Sequence, residues 1–282
     1  MTVPLGKILI VTKPGDESAL ALKDRMLSFL RSRNVDAEWC EHRLDGCVGE
    51  TVSDRCDLIM ILGGDGTFIG VARLLHSFGV PLMGVNLGRV GFLAQLHRDS
   101  WQEWLDNVLA EGFPVARRLV LEYDVLRRGV PVHHGLVVND LVVSRGELAR
   151  LIRLSVSFDG IDISTLRADG LIVSTPAGSS AYGVSAGGPL VHAGLEAYCV
   201  TPVCPFLNSF KPMVFPAAGV VGVRVEEATG EVNLTEDGQA VVRLEHADEI
   251  VLRRAKKDLL VVDFGQRAYF EKLKKNGFLT EK

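Results

Sequence analysis

Residues 7 to 112 alternate short apolar runs with stretches of helical spacing, a pattern that a parallel sheet with crossover helices buries on both faces. The apolar runs are Lys7 to Val11, Leu58 to Leu62 and Leu82 to Asn86. Between them, Ala19, Leu22, Met26 and Leu30, and then Phe68, Val71, Ala72 and Leu75, recur at helical spacing. Ser100-Trp101-Gln102-Glu103 reads as a capping box opening another helix, with Trp101, Trp104, Leu105 and Val108 on one face. After about residue 114 the pattern becomes β-branched and alternating. Leu151 to Phe158, the turn Asp159-Gly160 and Ile161 to Ser164 read as a hairpin. Further runs at Leu136 to Val143, Val220 to Val225, Val232 to Thr235, Ala240 to Leu244 and Ile250 to Leu252 predict a mostly antiparallel, β-rich second domain. The last stretch, Tyr269 to Lys275, is again helical in character. The expected organisation is an α/β domain over 1–113, a β-rich domain over 114–255, and a segment 256–282 returning to the first domain.

Within this frame, Gly63-Gly64-Asp65-Gly66-Thr67 stands directly at the exit of the Leu58 to Leu62 run. Ligands of open α/β sheets bind at the carboxyl ends of strands. Glycines there let the backbone approach a ligand, and amides at a helix start favour phosphate oxygens. The loop is therefore a candidate phosphate site containing a carboxylate. A strand-to-helix turn with Asp65 as a cap would use the same residues. A second cluster runs from Arg167-Ala168-Asp169-Gly170 through Thr175-Pro176-Ala177-Gly178-Ser179-Ser180-Ala181-Tyr182 to Ser185 and Pro189. It crowds small and hydroxyl-bearing residues around a polar ligand, with the Tyr182 ring available to stack on a base.

Composition removes several classes of function. The 282 residues carry 31 Lys plus Arg against 35 Asp plus Glu, a formal charge of −4, and no basic block that would mark a nucleic-acid surface. The apolar stretches are all shorter than the roughly 20 residues a bilayer span needs. The N-terminus runs straight into the first strand, with no signal or transit peptide visible. Five cysteines form no Cys-x-x-Cys pair, and their odd number fits reduced thiols and a cytoplasmic location. The seven histidines lack metal-site spacing, His133-His134 reads as surface, and Cys199 and Cys204 read as core thiols.

Taken together, four segments resemble the bacterial type of the NAD kinase family: Gly63 to Thr67, Asn86-Leu87-Gly88-Arg89-Val90-Gly91-Phe92-Leu93, the pair Asn139-Asp140, and Thr175 to Tyr182. The first segment alone is shared with lipid and sugar kinases; the last, with Arg167 to Gly170 before it, is narrower. The resemblance implies a two-domain subunit with NAD between the domains, forming a homodimer or homotetramer. It also implies transfer of the γ-phosphoryl group of ATP to the 2′-hydroxyl of the adenosine ribose of NAD. Mg²⁺ would be bound through nucleotide phosphates, with no protein side chain assigned to it.

By resemblance, Asp65 accepts the ribose hydroxyl proton, and Gly63, Gly64, Gly66 and Thr67 lie near phosphates. Asn139, Asp140, Asp169, Ser180, Ala181, Tyr182, Ser185 and Gln239 are carried over as NAD contacts. Arg167 has two open readings, a phosphate contact or a solvated strand-end charge. Asp140 stands where the family usually has Glu, Ala177 and Ser180 where it has Thr, and Phe206 where His often follows Cys-Pro. Asp237-Gly238-Gln239 matches a late family segment and would equally serve as a hairpin tip. A lipid kinase would need an apolar acceptor pocket that Arg167 to Pro189 does not suggest. A nucleotide sensor without transfer would be expected to have replaced Asp65.

Overall fold

The computed structural model describes residues 2–3, 5–42, 56–88, 91–146, 150–208 and 210–280. It divides into two compact units, residues 1–117 with 259–282, and residues 118–258.

The first unit is built on a sheet whose strands run in the order Asp36–Glu41, Lys7–Thr12, Leu58–Leu62, Leu82–Asn86, Leu259–Val262, Phe113–Arg118 and Thr2–Val3, with Leu96–His97 added beside Leu82–Asn86. The strands from Asp36–Glu41 to Leu259–Val262 pair in parallel. Leu58–Leu62 and Leu82–Asn86 are buried at every position, as expected of strands covered on both faces. Ala19, Leu22, Met26 and Leu30 are the buried residues of the helix Glu17–Ser32. Phe68, Val71, Ala72 and Leu75 lie on the buried side of the helix Asp65–Leu75. The helix Trp101–Glu111 forms, but its Ser100 makes no side-chain cap. At φ −105° and ψ 0° Ser100 is outside the extended conformation a cap requires, so the expected capping box is absent.

The second unit is a sandwich of two antiparallel six-stranded sheets. One runs Met213–Pro216, Ala197–Val203, Gly170–Ser174, Asp140–Arg145, Val232–Glu236 and Ala240–Leu244. The other runs Ile161–Ala168, Ile152–Phe158, Val221–Glu227, Glu249–Arg254, Leu121–Arg127 and Val130–Val137. Inward-facing residues of both sheets, among them Leu141, Val143, Leu171, Val173, Val223 and Ile250, share one core. The Asp159-Gly160 hairpin has φ of 50° and 76°, the two positive angles of a type I′ turn. The run Leu136 to Val143 is not a single strand. It breaks at Val138-Asn139, where the chain leaves one sheet and enters the other.

Cys199 is buried, but Cys204 is exposed and adopts φ 47°, so only the first is a core thiol. No helix among the described residues is long and apolar enough to cross a membrane.

Candidate active site

The helix Asp65–Leu75 begins one residue after its cap, Gly64, so Asp65 is the first helical residue and its carboxylate caps nothing in its own helix. Instead it reaches a segment 27 to 29 residues further along. Its Oδ2 accepts from the Phe92 amide at 2.8 Å, and its Oδ1 from Leu93 and Ala94 at 3.0 and 2.9 Å. Gly91 permits this grip: a Cβ there would meet the Asp65 carboxylate. A carboxylate has about four lone-pair positions, so three amides leave one for a further donor.

Gly63 is also required by packing, because a Cβ on it would lie 2.8 Å from the Thr67 hydroxyl oxygen. Gly64 is different. Its φ of −89° suits any residue, and a Cβ there would meet nothing within 4 Å. Among the described residues no contact calls for glycine at this position; it suits a helix N-cap and would let a ligand approach closely. Gly64 and Gly66 are both exposed at the N-terminal end of this helix, where backbone amides favour anions.

In the second unit, Asp140, Val142, Ser144, Arg145, Asp169, Tyr182, Thr235 and Gly238 wall a concavity of about 600 Å³. Strand alternation places Asp140, Val142 and Ser144 on one face. Asp169 is held by Arg145, Nε to Oδ1 at 2.5 Å. Tyr182 is 47% exposed, which leaves its ring available.

The Asn139-Asp140 turn is gripped from a distant hairpin. Asp237 accepts from the amides of Val138, Asn139 and Asp140 at 2.9, 2.7 and 3.0 Å, while its own amide donates to the Asp140 carbonyl. Gly178 packs so closely on the Asn139 backbone that any Cβ would overlap it. Among the described residues the buried Asn139 side-chain oxygen has no hydrogen-bond partner, as a group awaiting an outside donor would lack one.

Of the residues expected at a dinucleotide site, the concavity brings together Asp140, Asp169 and Tyr182, with Asn139 next to Asp140 in the chain. Ser180 donates to the Ala177 carbonyl at 3.2 Å, and the Ala181 amide to Gly178. Ser185 and Gln239 are exposed, and neither belongs to the walls. Arg167 faces a different depression with Arg153 and Glu227, 3.5 Å from the Glu227 carboxylate. Sequence does not single out Arg145, and it places Asp237 and Gly91 only within family segments, without these roles. Strict alternation from Asp140 through Ser144 puts Arg145 on the opposite face, so only its position at the strand end could have pointed to it.

Burial, with the Asp237 charge as a lesser cause, pushes Asp140 up to about 6, against an opposing hydrogen bond from the Tyr182 amide. A raised carboxyl favours the neutral folded form. Its contribution to stability is therefore complete below the ordinary value of 3.8 and is lost as pH rises to about 6. Asp140→Asn keeps an acceptor for Tyr182 and removes the charge. The variant is expected to melt a few degrees above wild type at pH 7.5, the gap closing by pH 4. Equal gaps at both pH values in thermal melts would refute this account.

The chain matches the family models described as ATP-NAD kinase N-terminal domain, over residues 38–113, and ATP-NAD kinase C-terminal domain, over 138–264. It is 45% identical to an NAD kinase of Nitratidesulfovibrio vulgaris (strain Miyazaki F), covering 100% of this chain and 99% of that protein. It is 40% identical to an NAD kinase of Oleidesulfovibrio alaskensis, covering 98% and 94%. Among solved structures, an Archaeoglobus fulgidus NAD kinase in complex with ATP is similar at TM-score 0.74 and 26% identity, covering 95% of this chain and 98% of that one. Yeast NADH kinase complexed with NADH shares the fold at TM-score 0.85 and 21% identity, covering 99% and 89%.

Proposed function

This chain belongs to the ATP-NAD kinase family, and we propose that within it Asp65 is the carboxylate that orients and deprotonates the acceptor hydroxyl. The reaction is ATP-dependent phosphorylation of NAD to NADP. Phosphoryl transfer depends on positioning and on charge neutralisation more than on covalent chemistry. The observation that carries the proposal is the grip on Asp65: three amides fix both oxygens and leave one lone-pair position for a hydroxyl.

In this reading the exposed amides around Gly64 and Gly66 receive phosphate oxygens, with Gly63 and Thr67 shaping the loop. Asn139, Asp140, Asp169 and Tyr182 hold the dinucleotide. The buried, unpartnered Asn139 oxygen accepts from the ligand, and the Tyr182 ring stacks on a base. Arg145 orients Asp169. Arg167, paired with Glu227, is left out of the proposed site.

Among the described residues, no three His, Cys, Asp or Glu side chains converge as a metal cage. A divalent cation carried on the phosphate oxygens of ATP would neutralise charge there. Cytosolic residence belongs to the same proposal, supported by free thiols at Cys56, Cys199 and Cys204. So does a homo-oligomer, supported by Phe206 and Leu207, which are 56% and 83% exposed. Light scattering after size-exclusion chromatography reads a mass of at least two chains if this is right.

The direct test is a matrix of donors and acceptors with the purified protein and Mg²⁺. ATP with NAD is expected to yield NADP. NADH serves as a second acceptor, because the yeast relative is named for it. Phosphorylation of diacylglycerol without phosphorylation of NAD would remove the acceptor assignment.

A further inference from the structure

The amides that hold Asp65 belong to a segment that is itself held from the far end of the chain. Lys272, on the C-terminal helix Gly265–Lys275, donates from Nζ to the Phe92 carbonyl at 2.6 Å. That carbonyl and the Leu93 amide are two ends of one peptide group, and the Leu93 amide donates to Asp65 Oδ1. A single peptide plane therefore lies between an ammonium at its oxygen and a carboxylate at its N–H.

Charges at both ends of a peptide dipole reinforce the two hydrogen bonds and fix the orientation of the plane. Rotating the plane would carry the N–H away from Asp65 and the carbonyl away from Lys272 together. The Phe92 ring adds a second hold. The Lys272 ammonium lies 5.3 Å from its centroid, and the Phe278 ring meets it edge-on at 5.4 Å.

Local sequence explains how the C-terminal segment delivers these groups. Leu273 is buried and anchors the helix, which leaves the preceding Lys272 partly buried beside the loop. At the helix end, Gly277 adopts φ 77°, its amide donates to Lys274, and the Phe278 amide donates to Leu273. This is a Schellman turn, which folds the chain back over the last helical residues and fixes the start of Phe278.

We propose that Lys272 is a positioning residue for phosphoryl transfer, holding the Phe92-Leu93 peptide in the orientation that aims its N–H at Asp65. The proposal rests on the reading of Asp65 as the catalytic carboxylate. The test compares full-length wild type with Lys272→Met, Lys272→Arg and Asp65→Asn by steady-state kinetics and thermal melts.

Lys272→Met is expected to lower kcat about tenfold, equivalent to about 1.4 kcal/mol, with KM for NAD and for ATP within twofold of wild type. Lys272→Arg, which keeps a cationic donor, should recover most of that loss. If Lys272→Met does not fold, Lys272→Gln is read in its place. Wild-type kcat in the lysine variants alongside an inactive Asp65→Asn overturns the role of Lys272 and leaves Asp65 standing. A rise in KM with kcat unchanged also overturns it, because it would place Lys272 in substrate binding. If Asp65→Asn itself turns over normally, the underlying reading fails and this inference with it.

Discussion

Asp65→Asn is expected to lower kcat by about 100- to 10,000-fold, the range associated with losing a positioned general base, while NAD affinity changes by a few-fold. Two losses combine. The amide cannot take a proton from the hydroxyl. It also disturbs the grip on the loop. Asn has one acceptor oxygen, which can satisfy the Leu93 and Ala94 amides as Oδ1 does now, but its NH₂ then faces the Phe92 amide donor to donor. The variant thus carries an unsatisfied Phe92 N–H, a cost of about 1 to 3 kcal/mol where that group is shielded from water. A lower melting temperature should accompany the loss of turnover. Single-turnover kinetics with NAD binding measured by calorimetry separates the two effects. Normal turnover in this variant would remove Asp65 from the chemistry.

The carboxylate was legible in the sequence because its cause is local. An apolar run ending in two glycines and an aspartate places that aspartate at a strand exit, whatever the rest of the chain does. Its partners were not legible in the same way. Gly91-Phe92 was recognised as part of a family segment, yet nothing in its residue types shows that its amides turn toward Asp65, because backbone donors carry no side-chain signature. Lys272 was invisible for a related reason: a lysine on a polar helix normally faces water.

The second domain repeats this division. Alternation revealed its strands, and the hairpin at Asp159-Gly160 followed from two residues that tolerate positive φ. The run Leu136 to Val143 misled because both halves are apolar strands, and only the polar pair inside it marks the crossing between sheets. Asp237 was read as a turn residue, and it is one, with φ 49°. That local role hid the long-range one, since a single side chain meets both demands. The general tendency of cysteine to be buried holds for Cys199, which lies within a buried strand, but fails for Cys204, which falls just beyond the strand end, where the chain turns to solvent.

Asp237→Ala is expected to lower stability by about 3 kcal/mol and to raise KM for NAD about tenfold or more, with KM for ATP nearly unchanged. The stability change follows from three backbone amides losing a charged acceptor together. For a chain of this size, about 3 kcal/mol corresponds to roughly 6 to 12 °C in the melting midpoint. The affinity change follows from what the grip controls. Val138, Asn139 and Asp140 form the crossing between two sheets, and without the Asp237 carboxylate it is held by the Gly178 contact, the Asp237–Asp140 backbone bond and the Thr175 bonds to the Val138 and Asn139 carbonyls, none of which ties down the three amides. Asn139 then loses the fixed direction of the side-chain oxygen that the proposed site offers to its ligand. Asp237→Asn should be milder. Oδ1 accepts from Asn139 and Asp140, a pair that one amide oxygen can keep, and only the Val138 bond is lost. Either aspartate variant also removes a negative neighbour of Asp140, so the pH-dependent part of the Asp140 penalty should shrink. A Asp237→Ala protein that melts within 2 °C of wild type and binds NAD normally would show that the turn is held by packing, and that the three hydrogen bonds contribute little.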